Sequence, residues 1–449
     1  LVISNWDGAV IEGDAMRVLA IDVGSSSVKA GYWDGRRFVG RARVAYGTVF
    51  DGLRAELCAE TVLAAVMRAG REVRAARAEA VSFCALSSGV VVTDARGKAR
   101  LPVITHQDRR SVREARGLVD ALGKKWLLAH TGNLPYPGGI GSSTLAWIAA
   151  HRRGVLRGHA RVGQLSSVIG NLLTGEWVID PSQAVFLGLW DIRAWKWSKP
   201  VCAAVGVREE SLPRCVWADM KIGGLAEKVA REWGVASGIP VVGGFVDTSA
   251  AVLQTPMRAG QLTHNSGSTD VLAMCVETPR PEEGVLTRPV GVTEGGWLAV
   301  RTIAAAGSAI AWARRELFDD VSDGKWNRIV RAACVVADPE TGPSCTPSFS
   351  GDRAAIEQIA GASFHGVTLA TSKEELLGAI VQGLLRESAV NYGMLAKIHR
   401  PAREVFFMGS ASDVASAMHR SWKHKHAFHR LMSDSMAGLV TLAERAEGN

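Results

Sequence analysis

No run of about 18 consecutive apolar residues occurs in this 449-residue sequence, so no stretch of it has the length and apolarity to cross a bilayer as a helix. The opening, LVISNWDGAVIEGDAM, has neither a cluster of Lys and Arg nor a continuous apolar stretch closing on small residues. It does not read as a secretory signal, and residues 1–16 are expected to form a loose leader. Cysteine is sparse: Cys58, Cys84, Cys202, Cys215, Cys275, Cys334 and Cys345 are odd in number, scattered and never spaced C-x-x-C. That pattern argues against a disulfide framework or a zinc site and fits a reducing, cytoplasmic setting. The pattern G-x-x-x-x-G-K-[ST] is also missing, which argues against a P-loop. Nor is there a large excess of one charge: 52 Lys and Arg against 44 Asp and Glu leave +8, spread along the chain without a recognisable nucleic-acid module. The densest cluster, HRSWKHKHAFHR over 419–430, has no carboxylate or Cys near His424, His426 or His429 in sequence. It reads as an exposed face rather than a metal or nucleic-acid site, and neither nucleic acid nor membrane is expected as a partner.

What is present is an ordinary globular composition, 47% apolar and 21% charged, in a chain longer than one hydrophobic core sustains. Two domains with a cleft between them are therefore expected. RVLAIDV over 17–23 is a short apolar run ending at Gly24 and a row of serines, the pattern of a buried strand entering a tight turn. Ser27 to Tyr32 reads as the returning strand, Asp34-Gly35 as the next turn, and RRFVGRARVAY as a third antiparallel strand. Leu57, Val62, Leu63, Val66 and Met67 then recur at helical spacing before EAVSFCALSSGVVVTDARG returns to strand, which together make an α/β unit. The Trp- and Gly-rich middle, 111–235, gives no clear order of elements. From 238 the opening texture returns: GIPVVGGFVDTSAAVL gives a strand, a Gly-rich bend and a helix start, and GQLTHNSGSTDVLAMCVE gives strand, turn and strand. This echo predicts a duplicated α/β domain, with helical periodicity over 372–396 and 411–446.

Two loops carry the chemistry. Gly24, Ser25, Ser26 and Ser27 offer backbone N–H and hydroxyl donors to a polyanion, while Asp22 can hold a hydrated magnesium ion and Lys29 adds countercharge. The same residues also suit a plain Ser-rich hairpin turn. The second loop, Asn265-Ser266-Gly267-Ser268-Thr269, stands between another pair of predicted strands. Two such loops facing each other would clasp the β- and γ-phosphates of a nucleotide, which phosphoryl transfer needs because its catalysis is largely positioning and charge stabilisation.

In order and spacing these motifs resemble the FGGY family of carbohydrate kinases, within the actin and hexokinase-like superfold. Asp22 to Lys29 resembles the family's D-x-G-[ST]-[ST]-x-K motif, Gly267-Ser268-Thr269 its G-T-S-type loop, and Gly244 to Ala251 its G-x-x-D-x-x-A-A motif. His106 to Arg110 is similar to a W-x-D-x-R segment, with His106 in place of the Trp. Phe349 to Arg353 resembles [FY]-x-G-[ED]-R, and Ala306-Gly307-Ser308 with Trp312 a glycine-containing helix start near the nucleotide. Met408 to Ser412 resembles G-G-[GA]-[AS]-x-[SN], with Ser410 at its second glycine. Cys84 to Gly89 departs from the G-Q-M-H-G of xylulokinase-like members. The M-G-S-x-S loop, the T-P-[ST] lead into the G-[DE]-R segment and the Q-D-x-R sequence are closest in texture to sedoheptulokinases.

The resemblance implies an α/β fold of two actin/hexokinase-like (ribonuclease H-like) domains with a catalytic cleft between them. An N-terminal domain over 17–238 would carry the sugar site and first phosphate loop, and a C-terminal domain over 239–449 the nucleotide and the catalytic Asp. It implies ATP and Mg2+ as cofactors, with Asp22 as metal ligand. Asp247 is then the base that accepts the proton of a sugar hydroxyl; its alternative is a cap on the following helix. Ser88, Asp108 and Arg110 would join Asp247 at the sugar. Asp22, Gly24, Ser25, Ser26, Ser27 and Lys29 would meet phosphate. Gly267, Ser268, Thr269, Gly307, Gly409, Ser410 and Ser412 would meet the nucleotide. The expected partner is a small ketose or polyol, sedoheptulose among the options beside xylulose, ribulose and glycerol, and the expected state a monomer or homodimer. The competing reading is a nucleotide- or sugar-binding protein on the same fold whose altered motifs no longer turn over.

Overall fold

Every residue of the run VLAIDV is buried, and it forms the strand Val18–Val23 at the middle of a mixed sheet. A run that is apolar but for Asp22 near its end, rather than alternating, is what a strand covered on both faces requires. Its hairpin partner Ser27–Trp33 lies antiparallel beside it, followed by the antiparallel Phe38–Ala45, whose alternating half-exposed residues mark it as the edge. On the other side lie Ala80–Ala85 and then Pro240–Val246, both parallel. Helix Ala59–Val73 buries Val62, Val66 and Ala69 in a core with Leu19, Ile21, Phe83 and Trp233. The three opening antiparallel strands, the helix and the return to strand are all as the sequence predicts.

The computed structural model describes residues 3–6, 16–335, 342–357, 361–409, 413–431 and 435–448. Two compact units divide the chain. The larger contains Asp7–Met257, Glu277–Leu298 and Ser433–Asn449; the smaller contains Leu1–Trp6, Arg258–Val276 and Ala299–Met432. This differs from the expected break between 238 and 239. Pro240–Val246 pairs with Ala80–Ala85, so the strand leading to Asp247 shares a sheet with Asp22, and parallel pairing across so long an interval leaves no local signal. Residues 3–6 differ from the expected leader as well: Ile3–Trp6 is a strand that pairs parallel with Ala427–Leu431.

The smaller unit repeats the path of the larger one. Leu262–Ser266 pairs antiparallel with Asp270–Val276 across the turn Gly267-Ser268-Thr269, and parallel with Glu404–Gly409, which in turn pairs parallel with Ala427–Leu431. Its core gathers Phe318, Leu377, Ile380, Leu384 and Met418. Helix Lys373–Ile398 begins with a capping box in which Ser372 and Glu375 bond each other's backbone amides, a start legible in T-S-K-E-E. The expected helical stretch 411–446 is interrupted by the strand Ala427–Leu431. The histidines around it are not one exposed face. His419 is buried and hydrogen-bonded at 2.7 Å to His264, His426 accepts or donates at 2.8 Å with the Tyr392 hydroxyl, and His429 lies 3.4 Å from Glu404. Among the described residues no helix is long and apolar enough to cross a membrane.

Two expected outcomes arise from this architecture. Pro240–Val246 carries a bulge between Gly243 and Phe245, and Gly243 has φ +113°, where a Cβ would sit 2.1 Å from the Phe83 carbonyl oxygen. Gly243→Ala therefore meets both a steric overlap and a disfavoured backbone, and it should cost about 3 kcal/mol or more in chemical denaturation. Burial raises the carboxyl of Asp180 in the larger unit to about 7. In the smaller unit burial raises Glu387 to about 7, with Asp352 and Asp270 adding to the shift and Arg301 opposing it. A carboxyl raised above its unfolded value binds more protons when folded, so its stabilising effect is complete below about pH 4 and is lost as pH rises through about 7. Each group then lowers stability by up to about 1.4 kcal/mol per pH unit in that window. Glu387→Gln should flatten the fall in Tm between pH 5 and 7; an unchanged slope would remove Glu387 from it.

Candidate functional site

In the larger unit the strands Val18–Val23, Ala80–Ala85 and Pro240–Val246 run parallel and end together, with Asp22 paired to Cys84 and Cys84 to Phe245. Binding groups in open α/β sheets collect at such carboxyl ends, where side chains leave the sheet and loops begin. Asp22 is 5% exposed, and its carboxylate accepts from Lys29 Nζ at 3.2 Å, Ser435 Oγ at 2.5 Å and Cys84 Sγ at 3.5 Å. Asp247 opens helix Asp247–Val252 two residues beyond Phe245 and is half-buried. Its Oδ1 accepts from the amide of Thr248, the very next residue, at 2.7 Å.

Asp22 and Asp247 act on the same neighbours. Burial pushes the Cys84 thiol well up, and the charges of both carboxylates push it further. The Tyr46 hydroxyl is raised by burial and then by the same two carboxylates. Both groups are thus neutral donors beside two carboxylates, one of which is opposed by Lys29. Asp22 is a residue that could hold a hydrated magnesium ion, which binds through one or two carboxylates, waters and substrate phosphate. Among the described residues there is no cluster of three or more metal-ligating side chains.

The turn after Asp22 has its carbonyls engaged. Gly24 accepts from the Tyr46 hydroxyl, Ser25 from Thr48 Oγ1 at 3.3 Å, Ser26 from the Tyr46 amide at 3.0 Å, and Ser27 from the Gly24 amide at 3.0 Å. With the acceptors occupied, the exposed Ser25 and Ser26 can meet an anion with amide and hydroxyl donors. The Ser27 hydroxyl is buried and accepts from Arg43 Nε at 3.3 Å, so it braces the turn.

The residues expected at the sugar are placed differently from one another. Ser88 is buried at the start of Gly89–Thr93, 3.4 Å from Gln164 Nε2, while Gln164 Oε1 accepts from the Gly89 amide at 2.7 Å. Asp108 is 1% exposed and takes the amides of Ala55 and Arg110 together with the Arg110 guanidinium at 2.6 to 3.0 Å. Arg110 also donates to Glu56 at 2.6 Å and lies over the Trp147 ring at 4.8 Å. Asp108 and Arg110 therefore brace one another and the neighbouring strand Arg54–Leu57.

In the smaller unit, the exposed Gly267-Ser268-Thr269 turn is held by the start of helix Gly307–Leu317. Gly307 and Ser308 donate their amides to the carbonyls of Gly267 and Ser268 at 3.1 and 3.2 Å, and a Cβ on Gly307 would lie 2.5 Å from the Gly267 carbonyl. Gly409 sits opposite Ser266 in the parallel register. Ser266, Gly267 and Gly307 border a cleft of about 450 Å³. Its walls include Ile310, Trp326, Val330 and Met418, with Asn327 and Arg331 as polar groups, a mix suited to a planar heterocycle. Trp326, Asn327, Val330 and Arg331 fall on one side of helix Asp323–Ala333, a contribution the sequence reading missed although the 326/330 spacing was there to find. Trp312, expected near the nucleotide, instead packs on Phe349 with ring centres 5.1 Å apart. Ser410 and Ser412 lie outside the described residues.

Comparison with known proteins bears on both units. Residues 17–254 match the FGGY family of carbohydrate kinases, N-terminal domain, and residues 262–419 the C-terminal domain of the same family. The chain is 26% identical to the L-fuculokinase of Escherichia coli (strain K12) over 277 residues, covering 60% of this chain and 56% of that protein. It thus spans little more than half the length of that relative. It is 25% identical to the L-fuculokinase of Salmonella typhi over 418 residues, or 88% of this chain and 84% of that one. The crystal structure of xylulose kinase from Rhodospirillum rubrum superposes with a TM-score of 0.81 at 20% identity, over 95% of this chain and 92% of that one, a likeness of fold.

Proposed function

We propose, since the chain belongs to the FGGY family of carbohydrate kinases, that it transfers the γ-phosphoryl group of ATP to a hydroxyl of a small sugar or polyol. The observation that carries this reading is the placement of Asp22 and Asp247 at the ends of strands in one sheet, where both act on the half-buried Tyr46 and the buried Cys84, beside a turn whose carbonyls are already engaged. ATP supplies the phosphoryl group, and Mg2+ offsets charge on its phosphates. Asp247 accepts the proton of the attacking hydroxyl, a role for which its half-buried carboxylate at the open end of the sheet is suited. Asp22 and Lys29 orient the hydrated metal and phosphate, and Ser25 and Ser26 present donors to phosphate oxygens. In the smaller unit Gly267, Ser268 and Thr269 are assigned to phosphate. Gly307, in the cleft of Trp326, is assigned to the nucleotide, as are Gly409, Ser410 and Ser412 by their motif. Ser88, Asp108 and Arg110 are assigned to the sugar site, with Asp108 and Arg110 bracing one another. The domain roles are accordingly proposed with Asp247 beside the first phosphate loop.

The sugar is proposed to be a ketose. The relatives named above are kinases of L-fuculose and of xylulose, so sedoheptulose rests on motif texture alone. A cytoplasmic setting belongs to the same proposal and agrees with seven cysteines that form no disulfide. The test is ADP release by the purified chain with Mg-ATP across a panel of L-fuculose, xylulose, ribulose, sedoheptulose and glycerol, with the sugar phosphate identified by mass. One or a few members should release ADP and gain one phosphate each. Tight ATP binding with no phosphorylated product from any member would favour the nucleotide-dependent binding protein instead.

A further inference from the structure

We propose that Arg288 is a positioning residue for Asp247, acting through the two residues that follow it. The inference rests on the assignment of Asp247 as the base. Arg288 belongs to the strand Leu286–Pro289 and is 0% exposed, the largest of the fully buried side chains. Its guanidinium donates from Nη2 to Thr248 Oγ1 at 2.7 Å and from Nη1 to Ser249 Oγ at 2.6 Å, and again from Nη1 to the Pro289 carbonyl at 3.0 Å. Ser249 passes the link on by donating to the Val290 carbonyl at 2.6 Å. One rigid fork therefore holds both hydroxyls of the first turn after Asp247, a geometry that a planar guanidinium supplies and an ammonium does not.

The residue before Asp247 is held from the other side. The amide of Val246 donates to Ser182 Oγ at 3.1 Å, and Ser182 Oγ donates to Asp180 Oδ1 at 3.1 Å. Asp180 is buried and also accepts the amides of Ser182 and Gln183, capping helix Pro181–Leu187. Its charge and that of Arg288 favour one another. Val246 is thus tied to a buried carboxyl and Thr248 and Ser249 to a buried guanidinium, with Asp247 between them. A hydrophobic side chain would fill the place of Arg288 at no greater cost to the fold, since burying a guanidinium means stripping its water. What a hydrophobic side chain would not do is fix the turn that aims the carboxylate. Displacement of a reacting group by about 1 Å can cost on the order of 10²-fold in rate.

The experiment is a cycle of Arg288→Met, Asp247→Asn and the double variant, with kcat and KM measured on the sugar identified by the panel. Arg288→Met is expected to lower kcat by about 10- to 100-fold while KM for ATP and for sugar stay within about twofold. In the Asp247→Asn background the same change should cost at most about twofold more, because the group it positions is already gone. Thr248→Val, which keeps the side-chain volume and removes one acceptor of the fork, should lower kcat several-fold and serves where Arg288→Met fails to fold. A folded Arg288→Met variant with wild-type kcat overturns the inference, as does wild-type kcat in Thr248→Val. A loss from Arg288→Met that is carried in full onto Asp247→Asn also overturns it, since Arg288 would then act elsewhere. Near wild-type activity in Asp247→Asn alone would instead remove the base assignment, a distinct failure visible in that single variant.

Discussion

Asp247→Asn is expected to keep ATP binding and to lose about 10²- to 10⁴-fold in kcat, the range associated with removal of a general base. A sugar hydroxyl is a weak nucleophile, and its proton must leave as the phosphoryl group arrives. Asn retains the size of the side chain and the oxygen that accepts the Thr248 amide at 2.7 Å, so the local turn is preserved and the effect belongs to the proton rather than to folding. The change should appear in kcat with little movement of KM, because an interaction made in the transition state has been removed. Were Asp247 only a structural cap, the same substitution would leave kcat unchanged, since Asn caps helices as well as Asp does.

Asp22→Ala is expected to reduce Mg-ATP turnover by on the order of 10²–10³-fold, as loss of a preorganised electrostatic contact in a water-poor site does. The substitution removes the carboxylate that accepts from Lys29, Ser435 and Cys84, and with it the proposed anchor for the hydrated metal. It also leaves Lys29 without that countercharge. Asp22→Asn serves as the shape control and should show nearly the same loss. In both variants the magnesium concentration giving half-maximal rate should rise. An unchanged magnesium dependence in a folded Asp22→Ala variant would take this residue out of the metal's environment.

The parts of this account that are legible in the sequence are those with local signals. VLAIDV followed by Gly24 and three serines announces a buried strand and a donor-rich turn within a dozen residues, and the structure has both. The motif around Asp247 is legible for the same reason, since a strand, a glycine pair and a helix start are adjacent in the chain. What is not legible depends on closure across long intervals. Arg288 lies in LTRP with no motif around it, and its meaning comes from hydroxyls some forty residues earlier in the chain. Asp180 and Ser182 are equally silent until Pro240–Val246 packs beside them. Asp108 and Arg110 match a family segment by type, but sequence type does not reveal that a carboxylate and a guanidinium two residues apart satisfy each other. The strand Ala427–Leu431 is hidden because Phe428 and Leu431, its buried hydrophobics, stand among histidines and cations that mimic a solvated surface.

The most direct test of the central claim follows the γ-phosphoryl group itself. The wild-type chain, given ATP labelled in the γ-phosphoryl group, Mg2+ and the sugar selected by the panel, should place the label in a sugar phosphate in step with ADP formation. Asp247→Asn, folded and saturated with ATP, should place about 10²- to 10⁴-fold less there per unit time. Label recovered only as inorganic phosphate from the wild-type chain, or transferred to sugar at the wild-type rate by Asp247→Asn, would contradict the account.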